Sequence, residues 1–386
     1  MVYSSNPQDL AEANNKFAFK LFQELQTTND NNLFYSPFSI STALAMTYGG
    51  ARGTTAIQMS KTMEFLVGDQ FHSDYKNLLN SLSEVTKGGI ILNIANSLWA
   101  QKDFKFLPSY FTLVKSNYNS EIKNVDFQNN LKRENSRKEI NSWVEQKTND
   151  KIKDILKQGD LNEDTKLVLV NAIYFYSDWA KPFKKAETEP RDFFLLGGSQ
   201  IQVPLMFQKE SFGYYEDSKI KALEIPYKDK KVSMLIFLPN TNNGITEFEK
   251  TFDSGYYQKI IASLHSNLVR LYLPKCQLTF KVNLKTTLSH MGMPMAFSAG
   301  ADFSGMTGKK DLCISEIIHQ AFINVDELGT EAAAATAVVM KGALATPPRP
   351  SKVFKADHPF IFCIKDNATG SILFMGKIMK PNASTP

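Results

Sequence analysis

One stretch restricts this chain more than any other: Gly329-Thr330-Glu331-Ala332-Ala333-Ala334-Ala335-Thr336-Ala337-Val338-Val339-Met340. It carries two conflicting instructions. Alanine is the strongest helix former, Thr330 is a suitable cap, and Glu331 suits a first helical turn. Read with a period of two, Thr330, Ala332, Ala334, Thr336, Val338 and Met340 instead form one uncharged face, with Glu331 and Lys341 on the other. An isolated alanine run would be an exposed helix followed by a loop. The upstream flank argues against that, because Ile317 to Glu327 reads as a strand, and the alanine segment is expected to continue it. A segment that is loop or helix in one state and a small-sided strand in another is what a loop-insertion switch requires.

The remainder of the 386 residues, 43% of them apolar, is ample for a large core. Phe17, Leu21, Phe22 and Leu25 share a helical face, and Ser41 to Tyr48 runs without breakers until Gly49-Gly50. A second helical block around Ile140, Trp143 and Val144 is expected to reach toward Leu156. Leu167 to Phe175 then reads as a buried strand. From Phe193 strands dominate: Ala222 to Tyr227 and Val232 to Leu238 flank a charged turn at Lys228 to Lys231, and Val269 to Leu273 alternates. Phe360 to Ile364 and Ile372 to Ile378 form a hairpin. Helices first and strands later predict an α+β fold. With no internal repeat and no linker, residues 1–386 read as a single domain, although Ala343 to Ser351 is Pro-rich and exposed in character.

Several function classes are excluded at this level. The net charge of +5 is spread out, and its densest stretch, Lys132 to Lys157, is interleaved with acids as on a solvated helix face, so no nucleic-acid partner is expected. The longest apolar stretches are too short for a bilayer, and Met1 to Leu25 lacks a signal-peptide-type block, so no membrane partner is expected. The compartment stays open, since a leader removed before residue 1 would leave the same sequence. Cys276, Cys313 and Cys363 lack C-x-x-C spacing and read as buried free thiols. Asn367-Ala368-Thr369 and Asn382-Ala383-Ser384 match the glycosylation triplet, which would matter only after secretion. No G-x-S-x-G or H-E-x-x-H occurs, and the five histidines are scattered, so neither catalytic residues nor a metal is expected. Gly305 to Lys310 resembles a phosphate loop, but Phe303 stands where its first glycine belongs, and no cofactor is implied. The chain does not read as an enzyme.

The hinge Gly329, Thr330, Glu331, Ala332, Ala333, Ala334 and Ala335, preceded by Glu327-Leu328, resembles that of inhibitory serpins. The similarity continues through the chain. Asn32 to Ile40 resembles the family's central shutter, with Ser36 and Ser39 joined by Asn171 and His319. Trp179 in Trp179-Ala180-Lys181-Pro182-Phe183 resembles the tryptophan of the breach at the top of the main sheet, with Lys275 and Glu327 as a charge pair there. Asp302 to Met306 and His358 to Phe362 follow in the family's order.

The resemblance implies a serpin fold: a mainly helical N-terminal part, a five-stranded central sheet, further sheets, and an exposed reactive-centre loop at about residues 328–352. It implies inhibition as a suicide substrate. A serine protease cleaves the loop, which then inserts into the sheet and traps the enzyme covalently. The family's spacing from Glu327 puts the reactive bond at Ala343-Leu344, suiting an elastase-like pocket, with Met340 and Lys341 as alternative specificity residues for chymotrypsin-like or trypsin-like enzymes. A non-inhibitory carrier or chaperone is the alternative, as is inhibition of a papain-like cysteine protease. A monomer is expected. Heparin is not expected to act, because Asp69 to Glu84 contains only Lys76 as a Lys or Arg residue.

Overall fold

Two sheets of opposite character organise the chain. The computed structural model describes residues 7–27, 31–68, 70–85, 90–330 and 350–382. In chain order the elements begin α1 (Pro7–Thr27), β1 (Leu33–Tyr35), α2 (Pro37–Tyr48), α3 (Gly53–Thr62), α4 (Phe71–Val85), β2 (Ile91–Gln101), α5 (Pro108–Tyr118), β3 (Glu121–Val125), α6 (Asn130–Lys147) and β4 (Leu167–Asp178). Then follow β5 (Glu189–Phe194), β6 (Gln200–Glu216), β7 (Ile220–Pro226), β8 (Val232–Pro239), α7 (Ile245–Thr251), α8 (Ser254–Ala262), β9 (His265–Pro274) and β10 (Cys276–Asn283). The chain closes with α9 (Lys285–His290), α10 (Ser304–Thr307), β11 (Glu316–Val325), β12 (Gly329–Thr330), β13 (Lys352–Lys355), β14 (Phe360–Asp366) and β15 (Ile372–Ile378).

Among the described residues, one sheet has the order β1-β15-β14-β8-β7-β6-β9-β13, with β5 also on β6; the other runs β10-β11-β12-β4-β2-β3. The inward face of the second sheet joins the main core, which includes Phe175, Leu169, Ala321 and Ile323, while its outward face carries a separate apolar cluster that includes Trp99 of β2, Val170 of β4 and Ile318 of β11. The strands buried on both faces are near-continuous apolar runs, as in β4, whose first nine residues are all buried and all apolar but Asn171.

The α+β class and the serpin-type central sheet expected from the sequence are found. Three local expectations change. Helix α6 ends at Lys147 and does not reach Leu156, because Asn149, Asp150 and Asp154 adopt left-handed backbone at φ 51°, 59° and 49°, which Asn and Asp tolerate but a helix does not. Strands β2, β3 and β4 of the central sheet arise from the first half, interleaved with helices. Most consequentially, the segment after β11 does not continue its line. It doubles back at Asp326, whose side chain accepts the Leu328 and Gly329 N–H groups at 2.9 and 3.3 Å, while Asp326 N–H donates to Gly329 O at 2.9 Å.

The returning residues form β12, antiparallel to both neighbours: Thr330 pairs with Val325 on β11 and Ser177 on β4, and Gly329 with Asp178. The sheet thus has five long strands plus a two-residue sixth. Thr330, expected in the segment held outside the sheet, is within it and fully buried. Of the cysteines, Cys276 and Cys363 are buried as expected, whereas Cys313 is half-buried; all three are free.

Gly329 is irreplaceable at this point, since a Cβ there would lie 2.2 Å from Ser177 O and 2.5 Å from Asp178 Cα, both backbone. Gly329→Ala is expected to displace β12 from between its neighbours and to cost about 1–3 kcal/mol, the usual penalty for forcing a methyl group into a packed site. Thermal or denaturant unfolding of the intact protein measures it.

Candidate functional site

Directly below β12, β4 and β11 pair with each other in parallel, from Glu316↔Val168 to Phe322↔Tyr174. His319 is opposite Asn171 on this seam, and Asn171 is opposite Asn96 on β2, so three polar residues line up across three strands. Helix α2 approaches them from the core side. Its start is fixed by Ser36 as N-cap, with Pro37 pre-set for the first turn, and the Ser36 hydroxyl accepts the Ser39 N–H at 3.1 Å and donates to Leu373 O at 2.6 Å.

The expected shutter residues therefore meet. Asn171 Nδ2 donates to Ser39 Oγ at 2.5 Å and to Asn96 Oδ1, and Asn96 Nδ2 donates to Ser39 O at 3.4 Å. Ser36 N–H donates to His319 Nε2 at 3.1 Å. Since Nε2 is the acceptor, Nδ1 carries the proton and donates to Asn171 Oδ1. Ser36, Ser39, Asn171 and His319 are all fully buried. Asn96 was missed from sequence, because β2 also carries Asn93, Ser97 and Gln101 and nothing local singles it out.

Burial drives the His319 pKa down from its ordinary 6.5 to about 3, against the opposing bond to Asn171. The imidazole is neutral, as its acceptor role requires.

At the top of the seam the expected breach residues also come together. Trp179 stacks on Tyr227 at 4.5 Å and 11°, donates from Nε1 to Asp326 O at 2.9 Å, and donates its N–H to Leu328 O at 2.8 Å. Tyr227 and Thr330 share a hydroxyl hydrogen bond at 2.7 Å. Lys275 Nζ is 2.8 Å from Glu327 Oε2, and Thr188 Oγ1 donates to Oε1 at 2.9 Å. The Glu327 side chain is 5% exposed and Lys275 25%, so this is more than a surface pair. Burial opposes the Glu327 carboxylate, but the bonds from Lys275 and Thr188 outweigh it and hold the pKa below its usual range. Thr188 and Tyr227 had no local sequence signal.

Glu331, Ala332, Ala333, Ala334 and Ala335 of the hinge, Met340 and Lys341, and the Ala343-Leu344 bond lie outside the described residues. Among those described, no group of His, Cys, Asp or Glu could hold a metal, and no helix is long and apolar enough to cross a membrane.

This geometry, a parallel seam crossed by a polar cluster and entered from above by an antiparallel stub, defines an α+β protein of known architecture. Human thyroxine-binding globulin superposes with a TM-score of 0.89 at 31% identity, over 98% of this chain and 100% of that one. A leukocyte elastase inhibitor of Xenopus laevis is 41% identical over 382 residues, spanning 97% of this chain and 100% of that protein. An uncharacterized serpin-like protein of Thermococcus kodakarensis is 40% identical over 373 residues, spanning 96% and 86%. The family model described as serpin (serine protease inhibitor) matches residues 12–381. The chain belongs to the serpin family.

His319 gives the site a pH dependence of definite sign. Its folded-state pKa lies below its unfolded value, so its contribution is fully present above about pH 6.5 and is lost as pH falls from there toward 3. The native form is expected to lose about 1.4 kcal/mol per pH unit below 6.5 from this group. Denaturant unfolding at pH 7.5, 6 and 5 measures the slope, and His319→Gln is expected to remove that part of it.

Proposed function

We propose that this protein is a suicide-substrate inhibitor of a serine protease of elastase-like or chymotrypsin-like specificity. The one observation that carries the reading is the register of β12. Thr330 is between Val325 and Ser177. Counted onward, Ala332 would face Ile323 and Phe175, Ala334 would separate the present partners Ala321 and Ile173, and Thr336 would separate His319 and Asn171. The period-two face of small, uncharged residues is the one this register turns into the core. Thr336 would enter at the polar cluster, where its hydroxyl can accept the His319 N–H and donate to Asn171, so that no buried group loses its partner.

The energetics favour the same direction. Insertion exchanges one β4–β11 ladder for two, adding roughly ten backbone hydrogen bonds between Glu331 and Met340, or on the order of 10 kcal/mol at about 1 kcal/mol each. The protease's serine attacks the Ala343 carbonyl, the Ala343-Leu344 bond breaks with Leu344 leaving as the amine, and an acyl-enzyme ester forms. Insertion of the freed segment, part of a loop at about 328–352, then carries the attached enzyme away and distorts it before water can deacylate it. The hinge Gly329, Thr330 and Glu331 to Ala335 sets the outcome, Ser36, Ser39, Asn171 and His319 hold the seam, and Trp179, Lys275 and Glu327 guard its entrance. The protein acts as a monomer and a single domain over 1–386, without heparin, nucleic acid or membrane. The elastase inhibitor among its relatives supports the target class.

A carrier function is the second reading, favoured by the likeness to a thyroxine-binding globulin. The absence of charged, bulky or proline residues on the inserting face from Thr330 to Met340 argues for inhibition instead.

Incubation with elastase, chymotrypsin, trypsin and a papain-like enzyme is expected to give a detergent-stable complex with an elastase-like or chymotrypsin-like enzyme, and a released C-terminal fragment beginning at Leu344, read by mass. Heparin is expected to leave the rate unchanged. Thr330→Arg, which forces a charge into the sheet interior, is expected to be cleaved without forming a complex. Cleavage of the wild type by every enzyme without complex would favour the carrier.

A further inference from the structure

Three neighbouring strands of the larger sheet, β6, β9 and β13, turn two unlike rows of side chains outward. In one row Lys209 is opposite Arg270, and Arg270 is beside Val353; in the next Phe207 is opposite Tyr272, and Tyr272 is beside Lys355. Lys209, Arg270 and Val353 are exposed, Val353 at 45%, whereas the alternate residues Gln208, Leu271 and Phe354 are buried. The aromatic row is tied together: the Phe207 and Tyr272 rings are 4.9 Å apart, the Arg191 guanidinium is 5.1 Å from the Tyr272 ring, and Arg270 donates to the Tyr272 hydroxyl at 3.1 Å. The cationic row is not balanced. Like charges directly opposite across two strands are unfavourable, and the acids on and beside these strands are engaged elsewhere, Glu210 with Lys181, Glu216 with Lys352, Glu189 with Arg191 and Asp357 with Lys355. The fold gains nothing from placing Lys209 against Arg270, whereas a negatively charged partner would.

We propose that the Lys209–Arg270 row, with Phe207 and Tyr272 at its side, is a docking surface for the target protease: it meets an acidic segment of the enzyme beside the active-site cleft and speeds the encounter that precedes cleavage. The inference rests on the inhibitor reading above. Position supports it, because β13 is where the chain returns to the sheet after the loop. Val353 is nine residues beyond Leu344, and so at most about 30 Å from the expected reactive bond. A protease domain, roughly 40 Å across, that holds this bond in its cleft reaches the face. Composition favours a protein over a sulfated polysaccharide. A polysaccharide footprint needs a longer run of unopposed cations than two, whereas arginine and aromatic rings are enriched where proteins meet. Charges placed this way act on the rate of encounter and leave the later insertion alone.

The test is the second-order rate of complex formation with elastase and chymotrypsin, at low and at high salt. Lys209→Glu separates docking from folding, because it turns the unfavourable pair into an ion pair. It is expected to raise the melting temperature of the free protein while slowing association about three- to tenfold at low salt, with the difference lost at high salt. Arg270→Glu is expected to slow association likewise, and neither variant to change the number of inhibitor molecules consumed per protease. Lys138→Glu, an equal change of net charge at an exposed position on α6, is expected to leave the rate unchanged. An unchanged or faster rate in Lys209→Glu, or equal slowing by Lys138→Glu, would overturn the proposal. So would acceleration of the wild type by heparin that Lys209→Glu abolishes, which would assign the face to a polysaccharide. No complex with any enzyme would instead sink the inhibitor reading, and this inference with it.

Discussion

The structure depends on one seam. β4 and β11 are buried on both faces and pair in parallel, while their other neighbours in the sheet, β2 and β10, pair with them antiparallel. A parallel ladder is slightly weaker per residue than an antiparallel one. The sheet is therefore divided at its centre along a line that an antiparallel newcomer would improve on both sides. β12 has already made that exchange over two residues.

The buried polar cluster fits this logic. Seams closed by apolar packing alone gain stability from every contact, and parting one exposes area without compensation. Asn96, Asn171, His319, Ser36 and Ser39 instead close the seam with directional bonds that another hydroxyl can replace. The cost is a histidine held neutral far below its ordinary pKa. The breach works similarly: Trp179, Tyr227 and the Glu327–Lys275 pair hold Asp326 to Thr330 in place mainly through backbone carbonyls and hydroxyls, so the entrance is shaped by groups that survive a change of partner.

Much of this was legible in the residues. The alternation from Thr330 to Met340 and the first residues of β4, β8, β14 and β15 are local properties: residue size, branching and a period of two act within a few positions. The shutter residues Ser36, Ser39, Asn171 and His319 were legible only through resemblance to a family, because a polar residue in an apolar strand does not announce its partner. Asn96, Thr188 and Tyr227 escaped notice for that reason. Their partners lie 75, 139 and 103 residues away in sequence.

By itself the sequence determined that residues 330–340 can be either loop or small-sided strand, since that ambiguity is written in side-chain volume and propensity. Only the tertiary structure decided where such a strand would go. The turn at Asp326 reverses the chain, backbone contact at Gly329 admits no side chain, and the pairing of Thr330 with Val325 and Ser177 sets a register that no local pattern encodes. Register is a relation between distant segments, and it exists only once both flanking strands have been folded into place.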